Sequence, residues 1–155
     1  MIVTLDDDEM KAIRLHGYLR QKENELAGTT NRQYNDQNAY ERNVDGLMGE
    51  YALAKKYNIF LSLGIAVRKW SYDLMWRMMR TDVKVTRSRG SDLHLGACYN
   101  KDVEAFVFGI IIDNTVDFKG WYPASLLYQQ ANYGKMNEQS KYETYNVSIK
   151  LLNPF

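Results

Sequence analysis

Cysteine is almost absent from this chain. Cys98 stands alone, which excludes a disulfide framework and a thiolate zinc site. Histidine is nearly as scarce, and His16 and His94 lie far apart with no cysteine cluster beside them. A metal here would therefore be held by carboxylates, which favour Mg²⁺ or Mn²⁺. Long apolar runs are missing too. The longest nearly continuous one, Ala105 to Ile112, reads as a buried strand, because a membrane-spanning helix needs about 20 residues. The N-terminus is acidic from Asp6 to Glu9 and lacks the basic-then-apolar order of a signal peptide. The expectation is a soluble cytoplasmic protein that engages no membrane.

What is present suits one domain over residues 1–155, since 45% of the chain is apolar and can bury a core. The formal net charge of +1 says nothing about nucleic acid, but its distribution is uneven. Arg68 to Gly90 holds seven basic residues (Arg68, Lys69, Arg77, Arg80, Lys84, Arg87, Arg89) against two acids, Asp73 and Asp82. Such a stretch can follow a phosphate backbone. It can equally be a solvated strand edge protected by charge.

Two helices are expected first. Thr4 to Leu26 has a candidate cap in Thr4, acids in its first turn, and an apolar stripe of Met10, Ile13, Leu15 and Leu19. Gly28 to Asn43 is polar and reads as a loop. Val44 to Tyr57 is the second helix, with Asn58 as its stop signal. Strands are expected over Ile65–Trp70, Asp73–Trp76, Asp82–Thr86, Leu93–Tyr99, Ala105–Ile112 and Asp117–Trp121, with a short helix opening at Pro123. Tyr145 to Leu151 can close the sheet, and Pro154 is expected to end the order. Helices followed by a run of strands imply an α/β (α+β) domain with a mixed sheet.

The chemistry centres on Thr81-Asp-Val-Lys-Val-Thr86. Strand alternation puts Asp82, Lys84 and Thr86 on one face and Val83 and Val85 on the other, where the valines can enter the core. A hairpin through Met78 to Arg80 would bring Asp73 back beside Asp82. Converging carboxylates repel unless a cation lies between them. A divalent ion there can bind a phosphate and lower the pKa of a water. Lys84 can then steady the attacking water or the charge that develops on phosphorus. Glu50 has no basic neighbour one helical turn away, on a face that otherwise looks packable. It needs a partner from elsewhere, and Gly49 beside it would let the helix approach the sheet.

The ordered set Gly46-Leu-Met-Gly-Glu50, Tyr72-Asp73, Asp82-Val-Lys84 and Phe118-Lys-Gly-Trp121 resembles the PD-(D/E)XK nuclease superfamily, in particular its small phage-type members. The ending Lys150-Leu-Leu-Asn-Pro-Phe155 is similar to theirs. The likeness spans about residues 44–127 plus that ending, with Tyr72 where many members have proline. It implies a restriction-endonuclease-like domain, with a four-stranded mixed central sheet flanked by helices. It also implies Mg²⁺-assisted hydrolysis of DNA phosphodiesters, with Glu50, Asp73 and Asp82 as metal ligands and Lys84 as the catalytic lysine. The protein would then be phage-encoded and act in the host cytoplasm. A catalytically silent nucleic-acid- or protein-binding module on the same scaffold is the alternative. A homodimer and a protein partner for targeting stay open.

Other residues carry weaker signals. Arg87, Ser88 and Arg89 follow the catalytic strand, where a loop can reach DNA phosphates, and Lys69 shares that candidacy. A solvated loop explains them as well. Tyr34 and Tyr40 are the best stacking candidates. The tryptophans and Cys98 are expected in the core.

Overall fold

In the computed structural model, which describes residues 1–28, 38–61, 72–90, 93–135 and 143–155, the chain opens on a strand rather than a helix. Strand β1 (Ile2–Thr4) precedes helix α1 (Asp7–Leu26). Thr4 is therefore not the helix cap. Asp6 is: its carboxylate accepts from the amides of Asp8 and Glu9, and Glu9 Oε2 accepts from the Asp6 amide. This reciprocal box satisfies donors that the first turn leaves open. Helix α2 (Ala39–Tyr57) begins earlier than Val44, because Asn38 caps it through the amide of Glu41. It stops at Asn58, which adopts the left-handed conformation at φ 51°.

Strands follow: β2 (Leu74–Trp76), β3 (Met79–Thr86), β4 (His94–Ala97), β5 (Ala105–Ile112) and β6 (Thr115–Pro123). The short helix α3 (Ala124–Leu127) then leads to β7 (Tyr133–Gly134) and β8 (Thr144–Ser148). The central sheet runs β1-β6-β5-β3-β2, with β3 and β5 parallel and its other neighbours antiparallel. It has five strands because β1 adds to the four expected. This mixed sheet with helices alongside is an α+β fold, consistent with a restriction-endonuclease-like architecture. A second sheet, β4-β8-β7, was not anticipated. The β2–β3 hairpin turns at Arg77 and Met78, both at positive φ, one step before the place expected from sequence. The strand expected over Ile65–Trp70, with Lys69, and Tyr34 in the polar connection lie outside the described residues.

Strand alternation divides the core in two. Val83 and Val107 share a face and meet Leu47, Met48, Leu53, Met10 and Ile13 of the two long helices. On the other face Phe106, Phe108 and Ile110 pack with Leu95, Ala97, Val147 and Leu127 from the second sheet and α3. Asp82, Lys84 and Thr86 are register partners of those last three β5 residues. Gly49 sets the spacing on the helical side. A Cβ there would lie 2.6 Å from Val85 Cγ1 and 3.0 Å from Val83 Cγ1. Gly49→Val is expected to cost about 2–3 kcal/mol, since overpacking a closed contact costs about 1–3 kcal/mol and valine brings two further methyls. A urea midpoint measurement reads the loss, and an unchanged midpoint would mean that α2 is not seated on β3.

The C-terminus is ordered rather than released by Pro154. Asn153 exchanges backbone hydrogen bonds with Trp121 at 2.8 and 3.0 Å, and the Trp121 indole donates to the Pro154 carbonyl. Gly120 permits that approach, as a Cβ would sit 2.6 Å from the Asn153 carbonyl oxygen. Phe155 then joins Trp76 and Phe118 in edge-to-face contacts. Trp76 is wholly buried, as expected, whereas Cys98 is exposed rather than in the core. Among the described residues no helix is long and apolar enough to cross a membrane.

Candidate active site

Strand β2 pairs with only the first part of β3, through Thr81. Beyond it, among the described strands, β3 is paired on one side only, by β5. Asp73 continues the ladder with its side chain. Its amide donates to the Thr81 carbonyl at 3.0 Å, and its Oδ2 accepts from the Val83 amide at 2.8 Å. A carboxylate thus takes the place of a strand carbonyl where the backbone pairing ends.

That capping role brings the Asp73 carboxyl beside Asp82, close enough for each other's charge to be felt. Lys84, two residues along the same face, places Nζ 2.9 Å from Asp82 Oδ1 and 2.8 Å from Oδ2. Asp73 as a whole residue is half-buried, but its carboxyl group lies deep. Burial, then the charges of Glu50 and Asp82, push this carboxyl well above the ordinary aspartate range, with Lys84 opposing them. Neighbouring carboxylates repel, and a cation between them relieves that repulsion.

Glu50 reaches the cluster from α2. Its side chain is only 7% exposed, and its partner is Arg20 of α1. The guanidinium grips it with both terminal nitrogens, Nη1 to Oε1 at 3.0 Å and Nη2 to Oε2 at 3.3 Å. Burial works against the charge of Arg20, but Glu50 and then Asp73 more than restore it. Arg20 was not singled out from the sequence. A signal for it exists in Gly17, one turn earlier on the helix, where a Cβ would lie 2.7 Å from Val44 Cγ2. Close approach of the two helices at Gly17 lets the residue three positions on reach across to α2.

The basic loop is less available than its composition suggests. Arg87 closes a bidentate pair on the buried Asp45 of α2, with Nε 3.0 Å from both oxygens and Nη2 2.6 Å from Oδ1. Its pKa is raised first by that hydrogen bond, and Glu41 and Asp113 add to the negative surroundings. Arg80 pairs with Glu104 and Asp102, and Arg77 stacks on Trp76 at 4.5 Å. Among the described residues of that stretch, Arg77, Arg80 and Arg87 are thus met by a ring or by acids. Ser88 and Arg89 are exposed, and the Ser88 amide donates to Thr86 Oγ1. Lys69 lies outside the described residues.

These side chains open on a cleft of about 1440 Å³, lined by Arg20, Glu50, Asp73, Asp82 and Lys84 at one part and by Asp45 and Arg87 at another. Among the described residues no three His, Cys, Asp or Glu side chains stand ready as a metal cage. The nearest arrangement to one is the Asp73–Asp82 pair. It fits a hard divalent ion by donor chemistry, because Mg²⁺ keeps several waters and uses one or two carboxylates. The Asp73 carboxyl is raised first by burial and then by the charges of Glu50 and Asp82, and its place on a cleft makes it a functional-site candidate. Comparison of the chain with protein-family models, with curated proteins and with solved structures finds no match.

Proposed function

We propose that this chain is a metal-dependent nuclease that hydrolyses DNA phosphodiester bonds, with Asp73, Asp82 and Lys84 at its reacting centre. The observation that carries the reading is the junction at the end of β2, where a capping aspartate, a strand aspartate and a strand lysine meet beside a buried glutamate. Asp73 and Asp82 would hold Mg²⁺ or Mn²⁺, which supplies a Lewis acid for the phosphate and a water of lowered pKa. Asp82 holds the Lys84 ammonium at the cleft wall, where it can donate to the attacking water or to a phosphate oxygen. The fixed strand beneath both residues limits their motion, which favours in-line positioning. Ser88, in the cleft wall, and the exposed Arg89 would meet the backbone of a bound strand.

The test is incubation of the purified chain with plasmid, linear and branched DNA in Mg²⁺, in Mn²⁺ and in EDTA. Cleavage that requires the ion and disappears in EDTA is expected. Absence of cutting on all three substrates would refute the reading. A second reading, a silent binding module on the same scaffold, draws support from the pairs Arg20–Glu50, Arg87–Asp45 and Lys84–Asp82, which satisfy the cleft's charges internally. It expects DNA or protein binding with no cleavage.

A further inference from the structure

Three acids converge in this cleft, but they are not equivalent. Asp73 caps the β3 ladder beside Asp82, which pairs with Lys84, whereas Glu50 is turned to a guanidinium that matches both of its oxygens. A bidentate arginine pair is among the stronger charge-assisted contacts, and a buried carboxylate is costly to separate from it. Moving Glu50 onto a metal ion would break two hydrogen bonds and leave Arg20 without its carboxylate.

The charges in the cluster point the same way. With an ion bound and all three ionised, the carboxylates of Glu50, Asp73 and Asp82 and the cations of Arg20 and Lys84 sum, among the described residues, to a single negative charge from the protein. One divalent ion turns that into a single positive charge, matched to the one negative charge of a phosphodiester. Two ions would leave the cluster strongly positive. Arg20 itself lines the cleft, with a side chain that is 27% exposed.

We propose that Arg20 is a positioning residue of this site: it holds Glu50 where a second divalent ion would otherwise be recruited, and so confines the site to one ion on Asp73 and Asp82. This rests on the nuclease reading and adds to it the ion count and the role of α1. Helix α1 then belongs to the active site rather than to the scaffold alone.

Titration calorimetry with Mn²⁺, paired with electron paramagnetic resonance of unbound Mn²⁺, tests this without DNA. The wild type is expected to bind one Mn²⁺ per chain. Glu50→Gln is expected to keep that ion with affinity changed by less than about threefold, since loss of even an outer partner of a true ligand costs about 10–100-fold. Arg20→Gln is expected to release Glu50 and either add a second Mn²⁺ or tighten the first about tenfold. Two ions on the wild type, a loss of tenfold or more in Glu50→Gln, or an unaltered titration in folded Arg20→Gln would each overturn the assignment. If Arg20→Gln does not fold, Glu50→Gln and the wild-type count decide. A wild type that binds no Mn²⁺ overturns the nuclease reading together with this inference. One bound ion without DNA cleavage overturns the nuclease reading alone.

Discussion

Lys84→Ala is expected to lower DNA cleavage about 10²–10³-fold, the usual consequence of deleting one preorganised donor to a developing negative charge. The fold should survive the change. The lysine side chain is 37% exposed, and its ion pair with Asp82 lies along a single strand. The pair is part-buried, with Asp82 16% exposed, so its loss costs somewhat more than the roughly 1 kcal/mol of an exposed pair. The strand is anchored by other groups, namely Val83 and Val85 beneath Gly49 and the parallel ladder to β5. A thermal melt within a few degrees of wild type, together with the lost rate, would assign the effect to chemistry. Cleavage equal to wild type would remove Lys84 from the mechanism.

Asp73→Asn is expected to move stability and activity in opposite directions. In the metal-free protein the Asp73 carboxyl is crowded by burial, Glu50 and Asp82. An asparagine keeps the Val83 contact without the charge, because its carbonyl can accept from that amide, and it brings an amide donor to the side of the Asp82 carboxylate. A gain of about 1–2 kcal/mol at neutral pH follows, or about 2–8 °C in Tm for a chain of this size. Cleavage should fall more than about 10²-fold, beyond the cost of losing an outer partner of a metal ligand.

The pH dependence has a definite sign. Because the folded pKa of Asp73 is raised, its contribution to stability is complete below the ordinary aspartate range. It is lost as pH rises through the raised value. Melts of the metal-free wild type should decline over that interval, and Asp73→Asn should lack that part of the decline. A mutant less stable than wild type at neutral pH would contradict the crowding of charge at this junction.

Much of this arrangement was legible in the residues themselves. The alternation of Asp82-Val-Lys84-Val assigned two faces, and the register with β5 carries the same division through the sheet. Gly49 announced a close helix–sheet contact, and Asn58 marked a helix end. The first strand was hidden by Thr4, which is a plausible cap when viewed alone. The reciprocal Asp6–Glu9 spacing, also present, was the stronger signal.

What sequence could not show is partnership between distant elements. Charge counted along Arg68–Gly90 ignores Asp45, Asp102 and Glu104, which the fold brings to Arg87 and Arg80. Glu50 visibly lacked a neighbour of opposite charge, but nothing local named Arg20, thirty positions earlier in the chain. The second sheet escaped for a similar reason. Strands close to β4 and β8 were expected over Leu93–Tyr99 and Tyr145–Leu151, but their pairing with each other across about fifty residues, and the two-residue β7, were not.

The central claim is that Asp73 and Asp82 hold a divalent ion beside Lys84. Crystals soaked in Mn²⁺ and measured near the manganese absorption edge test it most directly. An anomalous peak between the Asp73 and Asp82 carboxylates, within reach of Lys84, is the expected result. Full occupancy of the soak with no peak at that junction, or with peaks only elsewhere on the surface, would contradict it.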